Sequence, residues 1–171
     1  MEELKKFIRG IPDFPKKGIL FRDITTLIKD PLAFKSAIDR ICEHYRDIKI
    51  DKVVSTEARG YIFGGAIAYK LGCGLVPVRK PGKLPAQTFC EEYELEYGTD
   101  ALEIHCDAIK KGEKILVFDD LLATGGTALA TCKLVKRLEG KIIGIAFLIE
   151  LADLKGREKL KGYEVFSLIK Y

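Results

Sequence analysis

Two adjacent carboxylates and a glycine-rich turn follow one another in a single short segment of the chain. Asp119 and Asp120 come directly after the apolar run 115–118, and residues 121–127 continue as Leu-Leu-Ala-Thr-Gly-Gly-Thr. Glycines allow several backbone N–H groups to face one point, and a helix N-terminus favours an anion, so this turn can hold a phosphate. Carboxylates would repel that phosphate unless they bind the hydroxyls of a sugar that carries it. An acidic strand end before a capped helix is the alternative, and the complete pattern favours a sugar-phosphate site.

A second turn and a basic cluster could supply positive charge for the same ligand. In the turn 57–60, Glu-Ala-Arg-Gly, the small residues permit close approach of the backbone and Arg59 provides a cation. Arg79, Lys80 and Lys83 cluster farther along, in a stretch with two prolines and a glycine. Composition alone leaves two interpretations of this cluster open, a polyphosphate site or a solvated basic loop.

Length and composition indicate one domain spanning residues 1–171. Hydrophobic residues make up 47% of the chain, and the net charge of +4 is too small for the dense basic face of a nucleic-acid-binding protein. The five cysteines are odd in number and form no CxxC pair, which indicates reduced thiols rather than disulfides or a zinc site. The charged N-terminus has no apolar signal segment, and the apolar run 142–149 is too short to cross a membrane. We therefore expect a cytoplasmic protein without nucleic-acid or membrane partners.

The hydrophobic pattern predicts the elements that must position these residues. Strands are predicted at 53–55, 75–78, 93–97, 101–105, 115–118, 142–149 and 165–169, and helices at 2–9, 31–45, 60–71 and 127–138. Loops are predicted at 10–25 and 79–92, and Gly98 is expected to join two strands of a hairpin. The alternation of strands and helices predicts an α/β fold, a mostly parallel twisted sheet flanked by helices. Ligands in such sheets lie at the carboxyl ends of strands, which here follow residues 55, 78 and 118.

The segment 115–127 resembles the phosphoribosyl-pyrophosphate-binding motif of the type I phosphoribosyltransferases. It has neither the GK[ST] of a Walker A loop nor the GxGxxG of a dinucleotide loop. Further blocks, in the order in which they recur, narrow the resemblance to the adenine phosphoribosyltransferases and extend it over nearly the whole chain. These blocks are PDFPKKGILFRDIT (12–25), EARGYIFG (57–64), RKPGKLP (79–85), YELEYG (93–98) and ELADLKGR (150–157).

The resemblance implies a type I phosphoribosyltransferase-like fold and a role for each matching residue. An N-terminal arm and hood would occupy residues 1–30, and a mobile lid loop with its hairpin residues 79–105. The residues expected to bind ribose phosphate are Asp119, Asp120, Ala123, Thr124, Gly125, Gly126 and Thr127. Those expected to bind pyrophosphate are Glu57, Ala58, Arg59, Arg79 and Lys83, and those expected to bind the base are Leu20, Phe21 and Arg22. Catalysis would depend on Glu96, Asp119, Asp120 and Arg59, although the alternation of Glu96 with its apolar neighbours by itself indicates a solvent-facing carboxylate.

By the same resemblance, the chain transfers the 5-phosphoribosyl group of phosphoribosyl pyrophosphate to adenine. The products are AMP and pyrophosphate, which makes the reaction a purine salvage step. Mg²⁺ would be held through substrate oxygens, with no protein ligand certain, and the chain would form a homodimer. Two alternatives stay open. A phosphoribosyltransferase for another base is disfavoured by the block FRD at 21–23, and a non-catalytic regulator that senses phosphoribosyl pyrophosphate and binds nucleic acid is disfavoured by the weak net charge.

Overall fold

The computed structural model describes residues 2–94 and 98–171, in which strands and helices alternate along most of the chain. The strands are β1 (Arg9–Pro12), β2 (Leu20–Asp23), β3 (Lys52–Thr56), β4 (Gly74–Val78), β5 (Thr88–Glu94), β6 (Thr99–His105), β7 (Lys114–Leu122), β8 (Lys141–Glu150) and β9 (Val165–Lys170). The α-helices are α1 (Glu2–Lys5), α2 (Thr25–Ile28), α3 (Pro31–His44), α4 (Gly60–Leu71) and α5 (Gly126–Arg137). Two 3₁₀ turns, Ala152–Leu154 and Gly156–Leu160, lie between β8 and β9 and have no counterpart in the sequence-based prediction.

The central sheet has five strands in the order β4-β3-β7-β8-β9, and each neighbouring pair is parallel. This arrangement confirms the predicted α/β class. Because all five strands run the same way, the carboxyl ends of β3, β4 and β7 meet at one edge of the sheet, where the candidate residues were expected.

Helices cover both faces of the sheet, as predicted. Leu116 and Phe118 of β7 face one way and pack in a core with α3 and α4. Ile115 and Val117 face the other way and pack in a second core with α5 and with residues of β6. This alternation along one strand is what a sheet buried on both sides requires. No helix among the described residues combines the length and the apolar character needed to span a bilayer.

The N-terminal segment differs from its prediction. The helix predicted at 2–9 ends at Lys5, although Leu4 and Ile8 are buried as expected. The loop predicted at 10–25 contains an antiparallel pair, β1 with β2, in which Ile11 lies opposite Phe21. Prolines and glycines in this stretch masked two strands of only four residues each. The segment predicted as a loop therefore contains most of a small hairpin.

The second hairpin, β5 with β6, is confirmed, but its first strand was misplaced. β5 begins at Thr88, inside the loop predicted at 79–92. Exposure alternates along β5, with Phe89, Glu91 and Tyr93 half-buried and the residues between them exposed, and the two aromatic rings pack against the core on the α5 side. Alternation of this kind is typical of a strand with one solvated face, and the neighbouring glutamates concealed it. The predicted continuation to 97 includes 95–97, which lie outside the described residues.

Candidate active site

A cavity of about 300 Å³ opens at the carboxyl edge of the sheet. It brings together residues from three separate predictions: the acidic pair, the turn 57–60 and the turn 123–127. Its lining residues are Thr56, Glu57, Ala58, Arg59, Lys80, Tyr93, Asp100, Leu102, Asp119, Asp120, Leu121, Ala123 and Thr127. The fold therefore places these three segments around one cavity.

The acidic pair is buried within the sheet. β7 does not end at residue 118 as predicted but continues through Asp119 and Asp120 to Leu122, paired with β8. Only 9% of Asp119 and 6% of Asp120 is exposed. The Asp120 backbone N–H donates to Oδ1 of Asp119 at 2.9 Å. Burial and the neighbouring charge of Asp120 raise the pKa of Asp119 well above its ordinary value.

Arg59 provides the cation closest to this pair. Its Nη2 atom lies 2.9 Å from Oδ2 of Asp120. Burial raises the pKa of Asp120, and the positive charge of Arg59 opposes that shift. The guanidinium also lies over the ring of Phe21, with its carbon 5.1 Å from the ring centroid. Arg59 thus touches residues assigned by resemblance to the ribose site and to the base site.

The turn after β7 has the backbone form expected of an anion site. Gly125 adopts the left-handed conformation with φ of 81° and immediately precedes α5. Ala123 and Thr127 line the cavity, and Thr124 lies between them, half-buried. The N-terminal end of α5 therefore borders the cavity, and the first N–H groups of a helix can bind an anion there.

Three of the five residues expected to bind pyrophosphate, Glu57, Arg79 and Lys83, form an ion-pair cluster. Nε of Arg79 lies 2.9 Å from Oε2 of Glu57, and Nζ of Lys83 lies 2.8 Å from Oε1. The Glu57 side chain is only 7% exposed. Burial raises the pKa of Glu57, but hydrogen bonds from Lys83 and Arg79 outweigh this effect and leave it below its ordinary value. The carboxylate therefore occupies both cations in the unliganded protein.

Lys80 reaches the cavity, although only Arg79 and Lys83 were selected from that basic cluster. Nζ of Lys80 lies 2.9 Å from Oδ2 of Asp100, which also accepts a hydrogen bond from the Tyr93 hydroxyl at 3.4 Å. The hydrogen bond from Lys80 lowers the pKa of Asp100. Sequence reasoning missed Asp100 and Tyr93, and their only signal was the position of both on a hairpin beside a candidate site.

A second cavity, of about 580 Å³, adjoins the first and is lined by the residues expected to bind the base. Leu20, Phe21 and Arg22 contribute one wall. The residues that sequence reasoning did not assign to it are Gly18, Ile19, Leu121, Ala123, Leu151, Asp153, Leu154 and Tyr171. The Phe21 ring meets Phe14 edge-on at 5.1 Å between centroids, and the Arg22 guanidinium lies 3.6 Å from the centroid of the Tyr171 ring. An aromatic and aliphatic cavity of this kind suits a flat heterocycle.

Two further predictions concern Glu96 and Mg²⁺. Glu96 lies outside the described residues. For Mg²⁺, no group of three or more His, Cys, Asp or Glu in the ranges 2–94 and 98–171 could hold a metal ion. The buried Oδ2 of Asp120 has no aligned hydrogen-bond donor among the described residues, although Arg59 lies beside it. This pattern fits a cation that substrate oxygens hold and that the carboxylates assist, because Mg²⁺ keeps most of its waters and takes few protein ligands.

Comparison with known proteins gives one consistent result. Residues 25–170 match the family model described as the phosphoribosyl transferase domain. The chain is 61% identical over 169 residues to an adenine phosphoribosyltransferase from Thermotoga sp. (strain RQ2), with 99% of each chain covered. The crystal structure of adenine phosphoribosyltransferase from Thermoanaerobacter pseudethanolicus superposes with a TM-score of 0.97 at 56% identity, over 99% of both chains. That of Saccharomyces cerevisiae, complexed with D-2,5-dideoxy-2,5-imino-altritol 1,6-bisphosphate and adenine, gives 0.92 at 43% identity, over 98% of this chain and 97% of the other.

Proposed function

Since the chain belongs to the phosphoribosyltransferase domain family and, within it, to the adenine phosphoribosyltransferases, we propose that it converts adenine and phosphoribosyl pyrophosphate into AMP and pyrophosphate. One observation carries this proposal beyond the family name. The two cavities share Leu121 and Ala123 in their walls, so a base in the larger one would face a ribose in the smaller one. That contact is what transfer of a ribose to a base requires.

The proposed reaction exchanges one bond at ribose C1 for another. The C1–O bond to pyrophosphate breaks, N9 of adenine forms the new bond to C1, and the N9 proton leaves to a base. Positive charge develops on the ribose in between, and the buried carboxylates of Asp119 and Asp120 stabilise it while they accept hydrogen bonds from the ribose hydroxyls. The turn 123–127 holds the 5′-phosphate. We assign the N9 proton to Glu96 on the strength of the family resemblance.

Pyrophosphate would take the place of a carboxylate that is already present. Glu57 holds Arg79 and Lys83 by ion pairs, and Lys80 stands at the cavity wall with Asp100. We propose that pyrophosphate replaces these carboxylates as the partner of the basic side chains, together with Arg59. Mg²⁺, when bound with the substrate, neutralises part of the charge on the leaving pyrophosphate.

The exposed apolar residues support a homodimer as the working form. Tyr69 and Ile62 lie on one face of α4 and are 90% and 44% exposed, and Leu75 on the edge strand β4 is 41% exposed. The Leu75 side chain packs close to Gly64 and Gly65, so these apolar residues form one patch. Sedimentation of wild type and Tyr69→Glu tests the proposal. Dissociation by Tyr69→Glu but not by Leu32→Glu, at another exposed apolar position, supports it, and a monomeric wild type contradicts it.

We also propose a cytoplasmic location. The observation in its favour is that all five cysteines, at positions 42, 73, 90, 106 and 132, are free thiols. Free thiols at half-buried and exposed positions are typical of a reducing compartment. Fractionation of the source cells with an antibody against the chain tests the location.

A panel of bases tests the proposed reaction directly. Adenine, hypoxanthine, guanine and orotate are each assayed with phosphoribosyl pyrophosphate and Mg²⁺, and pyrophosphate release is measured. Turnover with adenine is expected, and turnover with another base alone would replace the assignment by a different phosphoribosyltransferase. No turnover together with salt-dependent DNA binding would favour the regulatory alternative.

A further inference from the structure

The phosphate-type turn rests directly on the backbone of a second segment, the 3₁₀ turn that begins at Gly156. A Cβ atom on Gly156 would lie 2.2 Å from the carbonyl oxygen of Ala123 and 3.1 Å from the backbone nitrogen of Gly125. A Cβ atom on Gly125 would in turn lie 2.5 Å from the carbonyl oxygen of Gly156. The distances of 2.2 and 2.5 Å to the two carbonyl oxygens are far shorter than van der Waals contact. Neither position can therefore carry a side chain unless the turn moves.

The residue after Gly156 anchors that segment to the sheet. Arg157 donates two hydrogen bonds to the Glu150 carboxylate, of 2.6 Å from Nε and 2.8 Å from Nη2. It also donates to the carbonyl oxygen of Val165 at 2.9 Å and to the Ser167 hydroxyl at 3.2 Å. Glu150 is only 5% exposed. A planar guanidinium held at four acceptors has one permitted orientation, so the backbone before it is fixed as well.

Glu150 and the turn 123–127 are also connected through neighbouring strands of the sheet. Glu150 ends β8, which pairs with the last residue of β7, Leu122. The Leu151 backbone N–H donates to the Leu122 carbonyl oxygen at 2.9 Å. The ion pair therefore ties the segment to the same strand end from which the phosphate-type turn departs. On the other side, Gly126 lies against Tyr93 and the carbonyl oxygen of Glu94. The turn is thus enclosed by backbone from two elements.

We propose that Gly156, held by the Glu150–Arg157 ion pair, is a positioning residue that sets the turn 123–127 in the form that binds a 5′-phosphate. The inference rests on the proposed function of that turn. Neither Gly156 nor Arg157 touches the ligand, and both act through the backbone of Ala123 and Gly125. A shift of the turn by about 1 Å is enough to weaken a set of converging N–H donors by roughly a hundredfold.

The experiment measures what the 5′-phosphate contributes to binding. Dissociation constants of AMP and adenosine are determined by calorimetry. The adenosine constant divided by the AMP constant gives the contribution of the 5′-phosphate to binding. We expect Gly156→Ala to lower this ratio by about tenfold or more relative to wild type. The control is Gly140→Ala, whose Cβ would lie 2.9 Å from Val135 and 3.1 Å from Ile109 and Ile115 in the core. It should lower the melting temperature and leave the ratio unchanged.

A second variant covers the case in which Gly156→Ala does not fold. Arg157→Lys keeps the charge but loses the paired hydrogen bonds to Glu150, and it should lower the ratio in the same direction. A wild-type ratio near one means that the turn is not the phosphate site, and the proposed function of that turn fails first. A large wild-type ratio that persists in folded Gly156→Ala or Arg157→Lys overturns the positioning role alone.

Discussion

Arg59 lies between the two acidic residues of the sheet and the aromatic wall of the neighbouring cavity, with Nη2 2.9 Å from Oδ2 of Asp120. Its guanidinium carbon is 5.1 Å from the centroid of the Phe21 ring. One side chain therefore meets a carboxylate proposed to bind ribose and an aromatic ring proposed to bind the base. If pyrophosphate takes Arg59 as its partner, Asp120 loses its cation at the moment when positive charge develops on the ribose.

Asp120→Asn tests the value of that carboxylate. The change is nearly isosteric and keeps an oxygen beside Arg59, so the fold should be retained. We expect kcat/KM for phosphoribosyl pyrophosphate to fall by about a hundredfold, the usual loss when one aligned electrostatic group is removed from a transition state. Steady-state kinetics check it, with Asp107→Asn at an exposed position as the control. Wild-type kinetics would show that Asp120 has no part in the reaction.

Asp119→Asn should separate stability from activity. The pKa of Asp119 is raised by burial and by Asp120, so the folded chain holds its proton to higher pH than the unfolded chain does. Stability therefore falls as the pH rises through the window between the two pKa values, because the ionised form is the costly one in the folded chain. Asparagine removes this cost and can still accept the Asp120 N–H. The melting temperature at pH 7 should rise by about 2–5 °C while activity is lost. A lower melting temperature with intact activity would contradict this account.

The sequence predicted the central sheet more accurately than its borders. Runs such as 142–149 are continuous and apolar because both faces are buried, and such runs are hard to mistake. β7 was predicted four residues too short at its carboxyl end because Asp119 and Asp120 are polar, yet the strand continues through both and stays paired with β8. A buried functional carboxylate contradicts the local pattern, and no composition rule reveals that the sheet continues through it.

The sequence could point to those parts of the candidate site whose residues are neighbours in the chain. The turn 123–127 and the acidic pair needed only neighbouring residues. Lys80, Asp100 and Tyr93 meet because the hairpin β5–β6 lies over the edge of the sheet, and that contact joins positions distant along the chain. Gly156 and Gly125 come together for the same reason. Single-sequence patterns carry no information on such long-range contacts, so these contacts emerged only from the fold.

Asp23→Asn should loosen the N-terminal hairpin in a pH-dependent way. Hydrogen bonds from the Thr25 backbone and from Arg9, the latter at 2.5 and 3.0 Å, lower the pKa of Asp23 to about 2 from 3.8. The stabilisation is present above the unfolded value and disappears as the pH falls through about 2. At pH 7 the substitution should cost about 1–2 kcal/mol of unfolding free energy and raise KM for adenine. Urea titrations at pH 7 and pH 2 check this, because the difference from wild type should be much smaller at the lower pH.

Glu96→Gln tests the proposed proton acceptor. If Glu96 takes the N9 proton in the transition state, kcat should fall more than the affinity for adenine does. Single-turnover rates measured across pH isolate the chemical step. The wild-type rate should fall at acidic pH, and this fall should be absent from the pH profile of the variant. Glu92→Gln, at an exposed site in β5, is the matched control. Unchanged single-turnover rates would leave Glu96 as a solvent-facing carboxylate.

The base cavity leads to the last prediction, a strong preference for adenine over hypoxanthine. Phe21 stands in its wall between Leu20 and Arg22, whose backbone groups we propose to meet the edge of a stacked purine. A carbonyl oxygen can accept from the 6-amino group of adenine, and an N–H can donate to its unprotonated N1. Hypoxanthine has an acceptor at position 6 and a proton on N1, so both contacts would be mismatched. Each buried mismatch costs about 1–3 kcal/mol, and two of them give discrimination of roughly a hundredfold or more.

Two variants separate stacking from edge recognition in that cavity. Phe21→Ala removes the ring that faces Arg59 and should raise KM for adenine with little change in the preference between bases. Leu20→Ala leaves the backbone in place and should change specificity less than Phe21→Ala changes affinity, because the proposed donor and acceptor are main-chain groups. The measurement is the ratio of kcat/KM for adenine and hypoxanthine at saturating phosphoribosyl pyrophosphate and Mg²⁺. A ratio near one in the wild type would contradict backbone recognition of the adenine edge while leaving phosphoribosyl transfer itself intact.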